Sequence, residues 1–339
     1  MSRRRVALFT VVVVVIAAVA AAVGWFVWPR DSDFEKAAAL LPDDTLRVTW
    51  TDWERVRDEV GDSDVYTAAT DRDLSVSSLA GSADDIEAQL GFDPLDADWE
   101  LLGHSREGMV VVVKLPGDLD DVASAFKGAG YTEPSSKRMD GAVWEGGPDV
   151  LASLGLTNNE LQSVAFVEEE GLLVGSDSAT YLRSAMKTVT GDEDGLDVTP
   201  LTDPLEDDPL DATVFLEDYA CEALSMSQAD EATQTVADGL VDDAGGVSPL
   251  KGYLVALSAD EQLSVVFRFA DDDQAERNAS SRGSLATAED PGQMVAYSDV
   301  FSDPTTEADD ADVVLTATAL RDGYPMANLA AGPVLLATC

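Results

Sequence analysis

The chain has 339 residues, a formal charge of −44 and 45% hydrophobic residues. That apolar content excludes an intrinsically disordered tail, and the charge excludes nucleic acid phosphates and anionic lipid headgroups as partners. Lysine is scarcer than arginine, six against fifteen, a bias that suits a high-GC genome or a salt-adapted proteome.

The first segment carries Arg3, Arg4 and Arg5, then an uncharged run from Val6 to Trp28. As a helix those residues would span about 34 Å, enough for a hydrocarbon core of about 30 Å. The arginines place the amino terminus in the cytoplasm and everything beyond Pro29 outside, with Trp25 and Trp28 at the interface. A cleaved signal peptide is the alternative, with Met1–Arg5 as its n-region and Ala20-Ala21-Ala22 near the cleavage site. The length of the run and its bulky Trp25, Phe26 and Trp28 favour a retained anchor. The expected organisation is therefore cytoplasmic 1–5, transmembrane signal-anchor 6–28, a first extracytoplasmic lobe 31–190, an acidic Pro/Gly linker 191–210 and a second lobe 211–339. The expected location is the cell membrane, single-pass, with the bilayer as a partner through 6–28. Four of the 21 basic residues and none of the 65 acidic ones lie in 1–30, which leaves the exported part at −48.

Asp31–Leu41 reads as a short helical stalk ended by Pro42, and Leu46–Trp50 alternates like a strand. Thr51-Asp-Trp-Glu54 is a capping box opening a helix through Val60, and Ser82-Ala-Asp-Asp85 opens another ending near Gly91. One arrangement then recurs. Trp99–Leu102 and Met109–Leu115 flank the turn Ser105-Arg-Glu-Gly108, and Asp118 caps a helix to Gly128. Val164–Val167 and Leu172–Gly175 flank Glu168-Glu-Glu-Gly171, followed by a helix to about Val189. Gly252–Ser258 and Leu263–Phe269 flank Ala259-Asp-Glu-Gln262, followed by a helical run from Asp272 to Ala288. The fold expected is α+β: antiparallel sheets with helices on one face, built from repeated strand–hairpin–strand–helix units.

Chemistry is sparse. His104 is the only histidine, which excludes HExxH zinc proteases and Cys₂His₂ centres, and no GxSxG elbow presents a serine. Ser124…Lys127 and Ser184…Lys187 match Ser-x-x-Lys, but neither Ser-Asp-Asn nor Lys-Thr-Gly follows, and both read as polar helix faces. Acidic runs occur at Asp192/Glu193/Asp194/Asp197, at Asp271–Asp273 and at Asp309/Asp310/Asp312. Asp192, Asp194 and Asp197 are weak calcium candidates: an EF-hand loop needs glycine at position 6 and glutamate at 12, and Gly195 comes two places early. All three runs read by default as solvated surface. Phosphate-cradling GxxxxGK[ST] and GxGxxG are absent, so no nucleotide, and no other cofactor, is implied. Cys221 and Cys339 are the only cysteines, and in an exported chain the even count favours one disulfide. The apolar carboxy-terminal Gly332–Cys339 reads as a docked segment that this bond would pin.

Four strings, Trp50-Thr-Asp-Trp53, Phe92-Asp-Pro-Leu-Asp-Ala-Asp-Trp-Glu100, Tyr219-Ala-Cys-Glu-Ala-Leu224 and Gly332-Pro-Val-Leu-Leu-Ala-Thr-Cys339, together resemble a group of uncharacterised single-pass envelope proteins of actinobacteria. The repeated unit is similar to a bacterial domain of unknown function. The resemblance covers most of the exported part, implies no activity and carries over no functional residue. It favours the high-GC explanation of the lysine deficit. The expected function is a non-catalytic binding or assembly role in the envelope, with an envelope protein as partner. The alternative is a carboxylate-dependent hydrolase, since carboxylates are the one catalytic resource in excess.

Overall fold

The computed structural model describes residues 32–61, 63–135 and 141–339. Among these no helix is long and apolar enough to cross a membrane. The Val6–Trp28 run lies outside the described residues. In chain order the strands are β1 (Arg47–Thr51), β2 (Trp99–His104), β3 (Met109–Lys114), β4 (Trp144–Glu145), β5 (Ser163–Val167), β6 (Leu172–Ser176), β7 (Asp211–Leu216), β8 (Gly252–Leu257), β9 (Gln262–Arg268), β10 (Glu289–Asp290), β11 (Val295–Ala296), β12 (Phe301–Asp309) and β13 (Asp312–Ala319). β10 and β11 form a separate ribbon. The others join one antiparallel sheet, eleven strands among the described residues, in the order β12-β13-β9-β8-β7-β1-β2-β3-β6-β5-β4.

That order contains a duplication. From the centre outward, β1-β2-β3-β6-β5 on one side repeats as β7-β8-β9-β13-β12 on the other. At the seam β1 and β7 pair about Thr49 opposite Thr213, with Arg47 opposite Phe215 and Thr51 opposite Asp211. The three hairpins expected from the turn signals are present as β2–β3, β5–β6 and β8–β9. A fourth, β12–β13, completes the second copy. Its outer strand carries Pro304 and a register shift between Ser302 and Thr305, features that suit a sheet edge.

Helices cover both faces of the sheet, not one. Along β3, Val111 and Val113 enter one core with Trp53, Ile86, Phe126 and Leu151, while Val110 and Val112 enter the opposite core with Phe34, Leu182 and Met186. An unbroken apolar run such as Val110–Val113 is what a strand buried on both sides requires. The first face carries most of the helices. The second carries Asp33–Ala38, Ala179–Val189 and Thr199–Thr202.

Residues 34–339 form one compact unit. The stretch 191–210, expected as a linker, packs within it: Leu196, Val198 and Leu201 are buried, and the Leu196 N–H donates to Leu41 O at 2.9 Å. Local caps are close to those read from sequence. Asp52, rather than Thr51, caps the helix Trp53–Val60 by accepting from Arg55 N at 3.0 Å, and Asp118 caps Leu119–Gly128.

The carboxy terminus is docked as expected. Val334–Ala337 are fully buried. Cys339 is disulfide-bonded to Cys221, which lies inside the helix Tyr219–Leu224. The buried Arg282 guanidinium donates to Leu336 O at 2.5 Å and Thr338 O at 2.9 Å, and sits 5.4 Å from the centre of the Phe267 ring. Burial lowers the Arg282 pKa to about 10. Asp290 accepts from the Leu335 N–H at 2.8 Å and from the Tyr297 hydroxyl at 2.6 Å.

Candidate functional site

Two groupings of carboxyl groups stand out, one open and one sealed. The open one is built on strand ends. Register sets Gly252 beside Arg268 and Arg268 beside Asp312, so the start of β8, the end of β9 and the start of β13 lie together. The segment Asp197–Pro204 runs across them. Arg268 ties the two layers: its guanidinium Nη1 donates to Pro200 O at 2.8 Å and to Asp312 Oδ2 at 2.9 Å. The other oxygen of that carboxylate, Asp312 Oδ1, is buried and has no partner, and Asp312 as a whole is 5% exposed. Burial pushes Asp312 up to about 6; Arg268 opposes that shift, and Asp309 and Asp310 add to it.

Arg268 divides a groove. On one side is a cavity of about 240 Å³ whose walls include Leu46, Leu196, Leu201 and Leu216 together with Glu217 and Lys251. On the other is a wider cleft of about 660 Å³ lined by Asp203, Asp272, Asp309, Asp310 and Asp312. Asp197, Pro200 and Arg268 border both. Nine carboxylates face the two spaces against two cations, and Lys251 is already paired with Asp218 at 2.6 Å. Asp310 makes the tight β12–β13 turn in the left-handed region, φ 48°, which aspartate tolerates better than most residues.

The sealed grouping crosses the duplication seam on the opposite face. Glu100, Thr51 and Asp211 sit side by side across β2, β1 and β7. The segment Asp73–Leu79 lies over them. Glu100 accepts from the hydroxyl of Ser77, and from the Ser78 N–H at 2.7 Å; Thr51 Oγ1 accepts from the Val76 N–H at 3.2 Å. Burial pushes Glu100 up against the pull of these donors. Asp211 is fully buried, and neither carboxylate oxygen makes a well-formed hydrogen bond, although the backbone N–H groups of Val76 and Ala212 exert a weak downward pull on its pKa. Burial, with Asp73 nearby, pushes Asp211 well above the usual aspartate range. Asp73 is raised by burial too, although it accepts from Met326 N at 2.6 Å and Ala327 N at 3.1 Å. At the far end of the same seam Arg47, opposite His104, lies 5.2 Å from the centre of the Phe215 ring. Burial lowers the pKa of both Arg47 and His104.

The calcium candidates do not converge. Asp192 accepts from the Thr190 hydroxyl at 3.4 Å, Asp194 is exposed, and Asp197 accepts from Thr199 N at 3.0 Å while lining the groove. Among the described residues no group of three or more His, Cys, Asp or Glu is placed to hold a metal ion. Lys127 and Lys187 of the Ser-x-x-Lys matches pair with Glu133 at 2.7 Å and Glu193 at 2.9 Å. His104 is half-buried at the end of β2. What sequence reasoning missed is convergence. Asp197, Asp272 and Asp309/Asp310/Asp312 come from three acidic runs that look like separate solvated patches, and they line one groove. No family model, curated protein or solved structure matches this chain.

Proposed function

We propose that this protein is a single-pass cell-membrane protein, amino terminus inside, whose extracytoplasmic part serves as a non-catalytic binding or assembly module of the envelope. The anchor reading is supported by Arg3–Arg5 ahead of the uncharged Val6–Trp28 run. One observation carries the binding reading. The buried carboxyls with raised pKa, Glu100 and Asp211, are closed off beneath Asp73–Leu79, whereas the open groove presents charge of nearly one sign. A surface of that kind attracts and orients a partner of opposite charge. Protease added to intact spheroplasts should digest the chain beyond Pro29, and complete protection would reverse the topology. Cross-linking in native membranes should yield discrete adducts of the full chain. A chain that stays uncross-linked at all reagent lengths is not an assembly module.

A carboxylate-dependent hydrolase is the second reading, favoured by Asp312, whose raised pKa and groove position suit a general acid. It predicts hydrolysis of glycoside, ester or peptide bonds by the purified protein, lost in Asp312→Asn. No turnover by the wild type eliminates it.

A further inference from the structure

The segment Asp73–Leu79 crosses the duplication seam like a strap, and the row of side chains beneath it is unlike its neighbours. On that face the register sets Val113, Glu100, Thr51, Asp211 and Leu257 side by side on β3, β2, β1, β7 and β8. The middle three are polar, and two of them are buried acids. We propose that Asp73–Leu79 is a proton-operated strap: a proton on Asp211 keeps it shut, and loss of that proton lifts it from the sheet while the rest of the fold stays intact. This goes beyond the binding reading and does not depend on it.

Two features suit the strap to open by itself. Its N–H groups are held by side chains, not by a neighbouring strand. Val76 N–H donates to Thr51 Oγ1 at 3.2 Å, Ser78 N–H to Glu100 Oε1 at 2.7 Å, and Leu79 N–H to Ser77 Oγ at 3.1 Å. Asn158 Nδ2 adds one bond to Ser78 O at 3.1 Å. Its apolar hold is also small: Leu74 and Leu79 are buried, and the residues between them are only half-buried. Segments held in this way open at a lower free energy than core strands do.

The surroundings of Asp211 make its proton the natural trigger. Across the pairing β1 presents Thr51 and β8 presents Leu257, and neither ionises. The strap presents Asp73, a second carboxyl, while Glu100 stands beyond Thr51 with Glu160 acting on it. Arg72, next to Asp73 in the chain, is engaged by Glu59 at 2.6 Å and Glu261 at 4.0 Å. Among the described residues no cation acts on Asp211, and its oxygens make no well-formed hydrogen bond. A charge buried in that way is costly, so ionisation is coupled to solvent access, and lifting the covering segment supplies it. A carboxyl that holds its proton more tightly when covered stabilises the closed strap at low pH and loses that hold as pH rises. Opening exposes Leu74 and Leu79 together with the polar row, and releases Asp73 from the Met326 and Ala327 N–H groups.

The test is hydrogen exchange read by mass spectrometry on the full-length protein in detergent micelles, between about pH 5 and 8. Protection is taken relative to the intrinsic exchange rate at each pH, for peptides covering the strap and for β3. Strap amides should be at least tenfold less protected than β3 amides, and their protection should fall as pH rises. In Asp211→Asn, an isosteric change, strap protection should gain on the wild type by about tenfold per pH unit until Asp211 ionises beneath the closed strap. Asn158→Ala removes a clamp and no titrating group, so it should lower strap protection by one factor at every pH while β3 stays protected. Equal protection of strap and β3 would show that the strap opens only with the whole fold and would overturn the proposal. So would parallel pH profiles for wild type and Asp211→Asn, or a changed slope in Asn158→Ala.

Discussion

Replacing Asp211 with asparagine should make the protein more stable, increasingly so as pH rises. Asp211 is fully buried, its two carboxylate oxygens make no well-formed hydrogen bond although the Val76 and Ala212 N–H groups exert a pull on it, and the charged group that acts on it is another carboxyl, Asp73. Burial and Asp73 both push its pKa upward. An aspartate whose folded pKa lies above its unfolded value of about 3.9 binds its proton more tightly in the native state. Its contribution to stability is therefore fully present below that unfolded value and is lost as pH rises toward the folded one. One such proton makes stability fall by about 1.4 kcal/mol per pH unit across the window. Asparagine has the same shape and never ionises, so Asp211→Asn removes that slope. Glu100, raised in the same direction, keeps its own and serves as an internal reference. The general repulsion among the 65 acidic residues acts on both chains almost alike. Urea denaturation of the disulfide-intact protein at several pH values between about 5 and 8 gives both curves. The variant should gain on the wild type by about 1.4 kcal/mol per unit until Asp211 ionises in the native state. Parallel curves, or a variant that loses ground as pH rises, would refute the assignment of a proton to Asp211.

Removing Cys221 or Cys339 opens a link between residues 118 apart in sequence, which the chain-entropy model values at about 4–5 kcal/mol. Each single serine variant should fall by a similar amount in urea denaturation, with the double variant no worse. Arg282→Met keeps the aliphatic stem but leaves Leu336 O and Thr338 O without their donor, a loss of about 3 kcal/mol. Limited proteolysis should then release the terminal peptide in a disulfide-free background and not in the Arg282 parent. Gly195→Ala would set a Cβ 1.8 Å from Ala39 O, so the contact between 191–201 and the helix Asp33–Ala38 must open, at a cost of about 1–3 kcal/mol. Hydrogen exchange at Leu196 N–H should rise with it, and unchanged protection would contradict the packing.

What could be read ahead of the structure was whatever short-range chemistry dictates. The hairpins β2–β3, β5–β6 and β8–β9 announce themselves because apolar runs are broken by polar turn residues such as Glu168-Glu-Glu-Gly171, where Gly171 supplies φ 62°. The docked terminus was legible for a similar reason, since Val334-Leu-Leu-Ala337 is too apolar to be left in water. β12 was not legible. Ser302, Asp303, Pro304 and Glu307 make it look like a loop, and it pairs only because an edge strand tolerates proline and charge. The burial of Glu100 and Asp211 was hidden as well. Each is one acid at the end of an apolar strand, and only the β2–β1–β7 register places both beneath the same covering segment.

The groove follows from the place where the two copies of the duplication part company. Arg268 opposite Asp312 occupies the position that Lys114 opposite Leu172 has in the first copy. In the first copy the chain leaves β6 into the helix Ala179–Val189, whose Leu182, Ala185 and Met186 share a core with Leu172. In the second copy the chain leaves β13 for the other face, where Met326, Leu329 and Val334–Ala337 join the opposite core and Cys339 is bonded to Cys221. The matching helix is thus missing from the groove side. The carboxylate in place of the first copy's Leu172 is buried and gains Arg268 as a partner, while Asp309 and Asp310 at the adjacent turn remain open to solvent. The same step in topology that docks the carboxy terminus therefore uncovers the acidic groove, so variants that release the terminus and variants that empty the groove of charge should act independently of one another.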